Sequence, residues 1–225
     1  MNKQQRYVPR VYGNPASVTE TKYFDMTWTA TMPFLSGGWN NSAGGEPNTT
    51  GTIFYPSPGT AYNQRVGRKV FVKKIRMNIK LIWAPGQSGS ITVANAPLVR
   101  MVLFIDKQAN ATQPTGDALM LTGGVPITTF QNPQNFGRFQ VLRDKTISFS
   151  NPDISQSATL DRTGMVKYLK LSYKYYKPLV MNFNQTNAGN ITDIVDNAIH
   201  FFCGSDINLT DMQIQYQARI IFCDP

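Results

Sequence analysis

Apolar and polar positions alternate with period two from Thr21 to Cys223, while the 3.6-residue spacing of an amphipathic helix is almost absent. Near the C-terminus Met212, Ile214, Tyr216, Ala218, Ile220 and Phe222 alternate with Asp211, Gln213, Gln215, Gln217 and Arg219. That pattern predicts a strand with one face in a core and the other toward water or a partner. Between residues 69 and 83, Phe71, Ile75, Met77, Ile79, Leu81 and Trp83 share one parity, and Lys74, Arg76, Asn78 and Lys80 the other. A long strand with a basic outer face is expected. Further strands are predicted at residues 22–32, 98–106, 138–142, 146–150, 166–176, 179–184 and 198–204. Residues 98–105 are apolar on both parities apart from Arg100, which suits a central strand covered on both sides. One short helical turn is predicted at residues 117–121, with Thr115 near its cap.

The connections are long, above all residues 33–68, which are rich in Gly, Asn, Thr and Pro. Loops of this length are uncommon in compact domains unless they carry function, so this one is expected to be exposed or to line a symmetry axis. Many strands joined by long crossovers favour a Greek-key sandwich over a meander. The expected fold is all-β: a single eight-stranded antiparallel jelly-roll β-sandwich at residues 22–225, preceded by an N-terminal arm at residues 1–21.

Composition narrows the class. The 225 residues are 41% hydrophobic, 12% aromatic and only 16% charged, the balance of a packed domain rather than of a disordered tail or coiled coil. No apolar run approaches the roughly 20 residues needed to cross a bilayer, so no membrane insertion is expected. The polar start Met1-Asn2-Lys3-Gln4-Gln5-Arg6 lacks the apolar segment of a signal peptide, and the protein is expected to be made and kept inside a cell. Two cysteines, Cys203 and Cys223, are too few for a disulfide scaffold or a zinc site and read as buried thiols.

A search for catalytic chemistry finds little. The one histidine, His200, lies in the apolar run Ala198-Ile199-His200-Phe201-Phe202-Cys203 and reads as a packed or hydrogen-bonded residue inside the sandwich. Metal-binding, phosphate-loop and dinucleotide motifs are absent, so neither an enzyme nor a cofactor is expected. Asp193 with Asp196, or Asp206 with Asp211, could form an acid/base couple or bind calcium, but no spacing matches a calcium loop and acidic residues at strand ends are ordinary turn-formers. Trp39, Tyr55 and Tyr62 in the long loop could stack on a sugar, or could anchor the loop.

The positive signal is charge. There are 22 Lys+Arg against 13 Asp+Glu, a formal charge of +9. Lys3, Arg6 and Arg10 lie in the arm, and Lys74, Arg76 and Lys80 on one strand face. Lys167, Lys170, Lys174 and Lys177 interleave with Tyr168, Tyr173, Tyr175 and Tyr176 in a run of mixed parity. Basic groups attract phosphate without reading sequence, and tyrosines can stack on unpaired bases.

Four segments, in order, are similar to a known family. Arg65-Val66-Gly67-Arg68-Lys69-Val70-Phe71-Val72-Lys73-Lys74-Ile75, running on to Leu81-Ile82-Trp83, resembles the segment of geminivirus-type coat proteins that leads into a long strand ending in an aromatic residue. Val102-Leu103-Phe104-Ile105-Asp106-Lys107-Gln108, followed by Pro114-Thr115-Gly116-Asp117, resembles the next strand and turn of those proteins. Arg138-Phe139-Gln140-Val141-Leu142 and Gln217-Ala218-Arg219-Ile220-Ile221-Phe222-Cys223-Asp224 resemble two later strands. The likeness covers residues 65–225. It does not extend to the family's long basic arm, to the Cys and His residues of that arm, or to its Pro-x-Gly turn.

The resemblance implies a capsid protein of a small circular single-stranded DNA virus, of the group that includes geminiviruses and circoviruses. Sixty copies would form a small icosahedral shell that encloses single-stranded DNA, with assembly in a host nucleus and residence in the virion. Lys3, Arg6, Arg10, Lys74, Arg76, Lys80 and Arg219 are the expected nucleic-acid-binding residues. The partners are further copies of the chain, the DNA genome and a host receptor that the sequence does not identify. Two alternatives share the fold: the capsid of a small or satellite RNA virus, and a cellular carbohydrate-binding jelly-roll lectin.

Overall fold

The computed structural model describes residues 20–31, 39, 52–83, 98–109, 111–121, 127–149, 165–184, 189–205 and 212–224. Seven strands are present among them: β1 (Thr21–Thr31), β2 (Lys69–Trp83), β3 (Leu98–Asp106), β4 (Phe139–Ser148), β5 (Met165–Asn182), β6 (Ala198–Ser205) and β7 (Met212–Cys223). They form two antiparallel sheets, one ordered β1-β7-β2-β5 and the other β4-β3-β6. Inward residues of both sheets, among them Ile75, Met77 and Ile220 from the first and Val99, Met101 and Phe201 from the second, share one buried core. This is an all-β, two-sheet architecture. Two isolated bridges extend the second sheet beyond β6: Trp39 meets Gly204, and Thr52 meets His200.

Alternation accounts for these strands because successive side chains point to opposite faces of a sheet. In β7, Ile214, Tyr216, Ala218, Ile220 and Phe222 are buried while Gln217 and Arg219 are exposed. β3 departs from alternation for the expected reason. It is the central strand of its sheet, and Val102 and Phe104 on its second face lie under a satellite core with Trp39, Leu119, Met120, Phe139 and Phe202. A helical turn α1 (Gly116–Leu119) supplies Leu119 to this cover, and the Thr115 hydroxyl caps it by accepting from the Ala118 N–H at 3.2 Å.

Three expectations are corrected. The inward parity assigned to Phe71 fails because β2 is irregular between Val72 and Lys74; Val70 and Val72 are buried, and Phe71 is only half-buried. Residues 138–142 and 146–150 are not two strands. Residues 139–148 form the single strand β4, in which Leu142 stands without a β3 partner between Val141 and Arg143, and this bulge resets the alternation. Residues 166–176 and 179–182 likewise merge into β5, where residues 175–178 have no β2 partner, and residues 183–184 lie beyond its end. Pro178 lies in that irregular stretch on an edge strand, where its missing N–H costs no ladder bond.

The expectation that residues 33–68 are exposed or line an axis is corrected at residues 52–54, while residues 60–63 and 66–68 are exposed. Ile53 and Phe54 are fully buried, and the Phe54 ring meets Phe24, Phe183 and Phe222 edge-on. The Ile53 N–H donates to the Ile199 carbonyl, so this stretch is held to the second sheet.

Candidate nucleic-acid interface

The outward face of the four-stranded sheet is set by register. Three rows of side chains run across it, two from β1 through β7 and β2 to β5 and the third from β7 through β2 to β5. One row is Asp25, Arg219, Arg76, Ser172; the next is Thr27, Gln217, Asn78, Lys170; the third sets Gln215, Lys80 and Tyr168 side by side. At the neighbouring level Lys74 stands opposite Lys174. Directly opposed residues of an antiparallel pair hold their Cβ atoms about 4.5–5.5 Å apart, so these rows are contiguous surface.

Four of the expected nucleic-acid-binding residues, Lys74, Arg76, Lys80 and Arg219, therefore share one face, and Arg76 lies directly opposite Arg219. Lys3, Arg6 and Arg10 lie outside the described residues. The face also gains Lys170 and Lys174, which a run of mixed parity did not separate from its neighbours. Once β2 fixes the register of β5, even-numbered residues of 166–174 point outward and odd-numbered ones inward. Lys167 falls on the inner side, donating to the Ser148 carbonyl and covering the Phe149 ring.

Electrostatics on this face are one-sided. Lys74, Arg76, Lys80, Lys170, Lys174 and Arg219 face a single carboxylate, Asp25, among the described residues of its rows. Arg219 donates through Nε and Nη2 to the two Asp25 oxygens, both at 2.6 Å. Those hydrogen bonds, with the guanidinium charge, hold the Asp25 carboxyl below the ordinary carboxylate range. Like charges directly opposite across a sheet are unfavourable, so an array of this kind favours a bound anion. Tyr168, 75% exposed, offers a ring with the Lys80 ammonium 6.0 Å from its centroid.

The other candidate residues fall into structural roles. His200 is fully buried, stacked on Phe104 at 5.2 Å and hydrogen-bonded through Nδ1 to the Thr52 hydroxyl at 3.1 Å. Burial, reinforced by the Arg138 charge, lowers its pKa to about 3, so the ring is neutral. This is the packed and hydrogen-bonded setting expected of it, on the side of β6 that faces the satellite-core residues Phe104 and Phe202. Asp193 accepts from the Gly189 N–H at 2.7 Å, and Asp196 takes the Asn182 N–H at 2.9 Å and the Asn182 side-chain amide at 2.7 Å. Both pin turns. Asp206 and Asp211 lie outside the described residues. Cys203 and Cys223 are buried free thiols. Trp39 is 7% exposed and Tyr55 packs on the main core, leaving Tyr62 alone of the three loop aromatics with an open ring, 66% exposed.

Among the described residues no cluster of His, Cys, Asp or Glu could hold a metal ion, and no helix is long and apolar enough to cross a membrane. No model of a known protein family matches the chain, and no curated protein matches it in sequence.

Proposed function

We propose that the chain is the capsid protein of a small circular single-stranded DNA virus, a structural protein rather than an enzyme, acting by self-assembly into an icosahedral shell of sixty copies. It resides in the virion, assembles in a host nucleus and encloses single-stranded DNA.

The observation that carries this reading is the path of the chain between its two sheets. β1 lies in the first sheet, the bridging residues Trp39 and Thr52 at the free edge of the second, β2 in the first, β3 and β4 in the second, β5 in the first, β6 in the second and β7 in the first. This alternation between sheets supports reading the fold as an eight-stranded jelly roll, with the two bridges taken as the place of its remaining strand; in such a fold loops gather at the two ends of the sandwich. Closed symmetry then repeats each end-loop contact around every axis. A basic sheet face supports the second half of the reading. At +9 per chain, neighbouring subunits repel, and an enclosed polyanion offsets that repulsion.

Light scattering and electron microscopy of the purified full-length chain test the proposal. Closed particles of roughly 1.5 MDa, about sixty chain masses, are expected. Their contents should resist nuclease until the shell is opened, and then yield to a DNase rather than an RNase. A chain that stays monomeric at every concentration and ionic strength, with or without oligonucleotide, refutes it. RNA contents would favour the RNA-virus alternative. The lectin alternative loses support from the burial of Trp39.

A further inference from the structure

The geometry points to a built phosphodiester site at the Arg76–Arg219 pair, with Tyr168 as a platform for a base of the same strand; the inference rests on the capsid reading and locates its DNA contact. Arg76, Arg219, Lys170, Asn78 and Gln217 together line a cleft of about 370 Å³. Three cations and two side-chain amides thus converge, and every one of them can donate hydrogen bonds to a phosphate oxygen. Among the described residues neither Arg76 nor Lys170 has a carboxylate partner, and Asp25 engages only Arg219. The Asp25 fork uses two of the five guanidinium N–H groups of Arg219, leaving three for a second anion. Among the described residues the cleft therefore carries more positive charge than its one neighbouring carboxylate balances, which suits a bound phosphate.

The cleft is continuous with a larger groove of about 750 Å³, because Asn78, Lys170 and Gln217 line both. Lys80 and Tyr168 are among the residues that line that groove. Lys170 and Tyr168 are two residues apart on β5, about 6.6 Å along the strand, so a chain crossing the groove can leave a phosphate beside Lys170 and a base on the ring. A flat, exposed tyrosine can take that base only if it is unpaired, which selects a single strand over a duplex. Asp25 competes with the phosphate for Arg219.

The test is fluorescence anisotropy with a labelled oligodeoxythymidylate of about ten nucleotides, on full-length chain kept unassembled by dilution, over a range of salt. Arg76→Gln, Arg219→Gln and Lys170→Gln should each weaken binding about tenfold and lower the slope of log K against log salt by about 0.7. Lys145→Gln, the same charge change at an exposed position of the other sheet, should do neither. Tyr168→Ala should cost roughly tenfold and Tyr168→Phe little. Asp25→Asn should tighten binding, and an oligonucleotide duplex should bind less tightly than the single strand. Equal losses for Lys145→Gln and Arg76→Gln would reduce the effect to diffuse charge and overturn the site. Unchanged binding by Tyr168→Ala, or equal affinity for the duplex, would overturn the base platform. Weaker binding by Asp25→Asn would overturn the competition. Each of those results is compatible with intact particles, whereas failure of the wild-type chain to form particles strikes the capsid reading itself.

Discussion

Arg138 grips the buried carboxylate of Asp106 with both arms of its fork, Nε to Oδ1 at 2.9 Å and Nη2 to Oδ2 at 2.7 Å. The Gln108 N–H donates to the same Oδ1 at 3.0 Å, and the guanidinium lies 4.8 Å from the centroid of the Phe139 ring. Asp106 ends β3 and Arg138 precedes β4, so the pair closes a connection that contains α1 and the satellite-core residues Leu119 and Met120. Arg138→Gln leaves a buried charge without its partner and is expected to destabilise the subunit by about 3–5 kcal/mol. Urea unfolding of the unassembled chain measures this. A loss below about 1 kcal/mol would mean that solvent reaches the carboxylate and that the pair counts as a surface one.

Gly116 carries no side chain because Trp39 occupies the space. A Cβ at Gly116 would stand 2.2 Å from Trp39 Cδ1. Gly116→Ala must push the indole off its seat, and with it the bridge from Trp39 to Gly204 that extends the second sheet. A loss of about 1–3 kcal/mol is expected. Trp39→Phe should recover part of it in the double variant; strict additivity of the two single losses would show that the residues do not share the space.

The strands were legible where alternation was unbroken, as in β7 and the Lys74–Trp83 part of β2, and so was the charge of the outward face. What stayed hidden depends on pairing between distant segments. No local pattern announces that Arg76 faces Arg219 across a ladder, or that Lys170 rather than Lys167 joins them. Both follow from register. Bulges at Leu142 and near Lys73 break parity without any sequence mark of their own. Around Ile53 and Phe54 the Gly and Pro residues signal a loop, although the apolar dipeptide itself belongs to the core.

Lys22 is nearly fully buried, with Nζ 2.8 Å from an Asp224 oxygen and donating to the Gln64 carbonyl at 3.1 Å. It ties the start of β1 to the chain's C-terminal end and to the turn before β2. Lys22→Met preserves volume but strands the Asp224 carboxylate, so a loss of about 3–5 kcal/mol is expected. Lys22→Met with Asp224→Asn removes both charges and should be milder than Lys22→Met alone. A double variant as unstable as the single would place the cost in packing, not in the orphaned charge.

His200 governs how stability responds to acid. Its folded-state pKa is lowered to about 3, from an ordinary value of 6.5, chiefly because burial excludes the charged ring and secondarily because Arg138 is near. In the unfolded chain the ring takes a proton as pH falls through 6.5; in the folded chain it refuses one until about 3. The unfolded state therefore binds more protons throughout that window, and stability is full above pH 6.5 and drains away as pH falls toward 3. The limiting slope is about 1.4 kcal/mol per pH unit. Carboxylates add their own acid dependence in the lower half of the window, so the informative quantity is the difference between wild type and His200→Gln, which keeps a polar group near Thr52 but cannot titrate. That difference should be constant above pH 7 and should move steadily in favour of the variant below about pH 6. Urea midpoints that run parallel for the two chains between pH 7 and pH 4 would mean that the ring is protonated in the folded state, and that its place beside Phe104 is open to water.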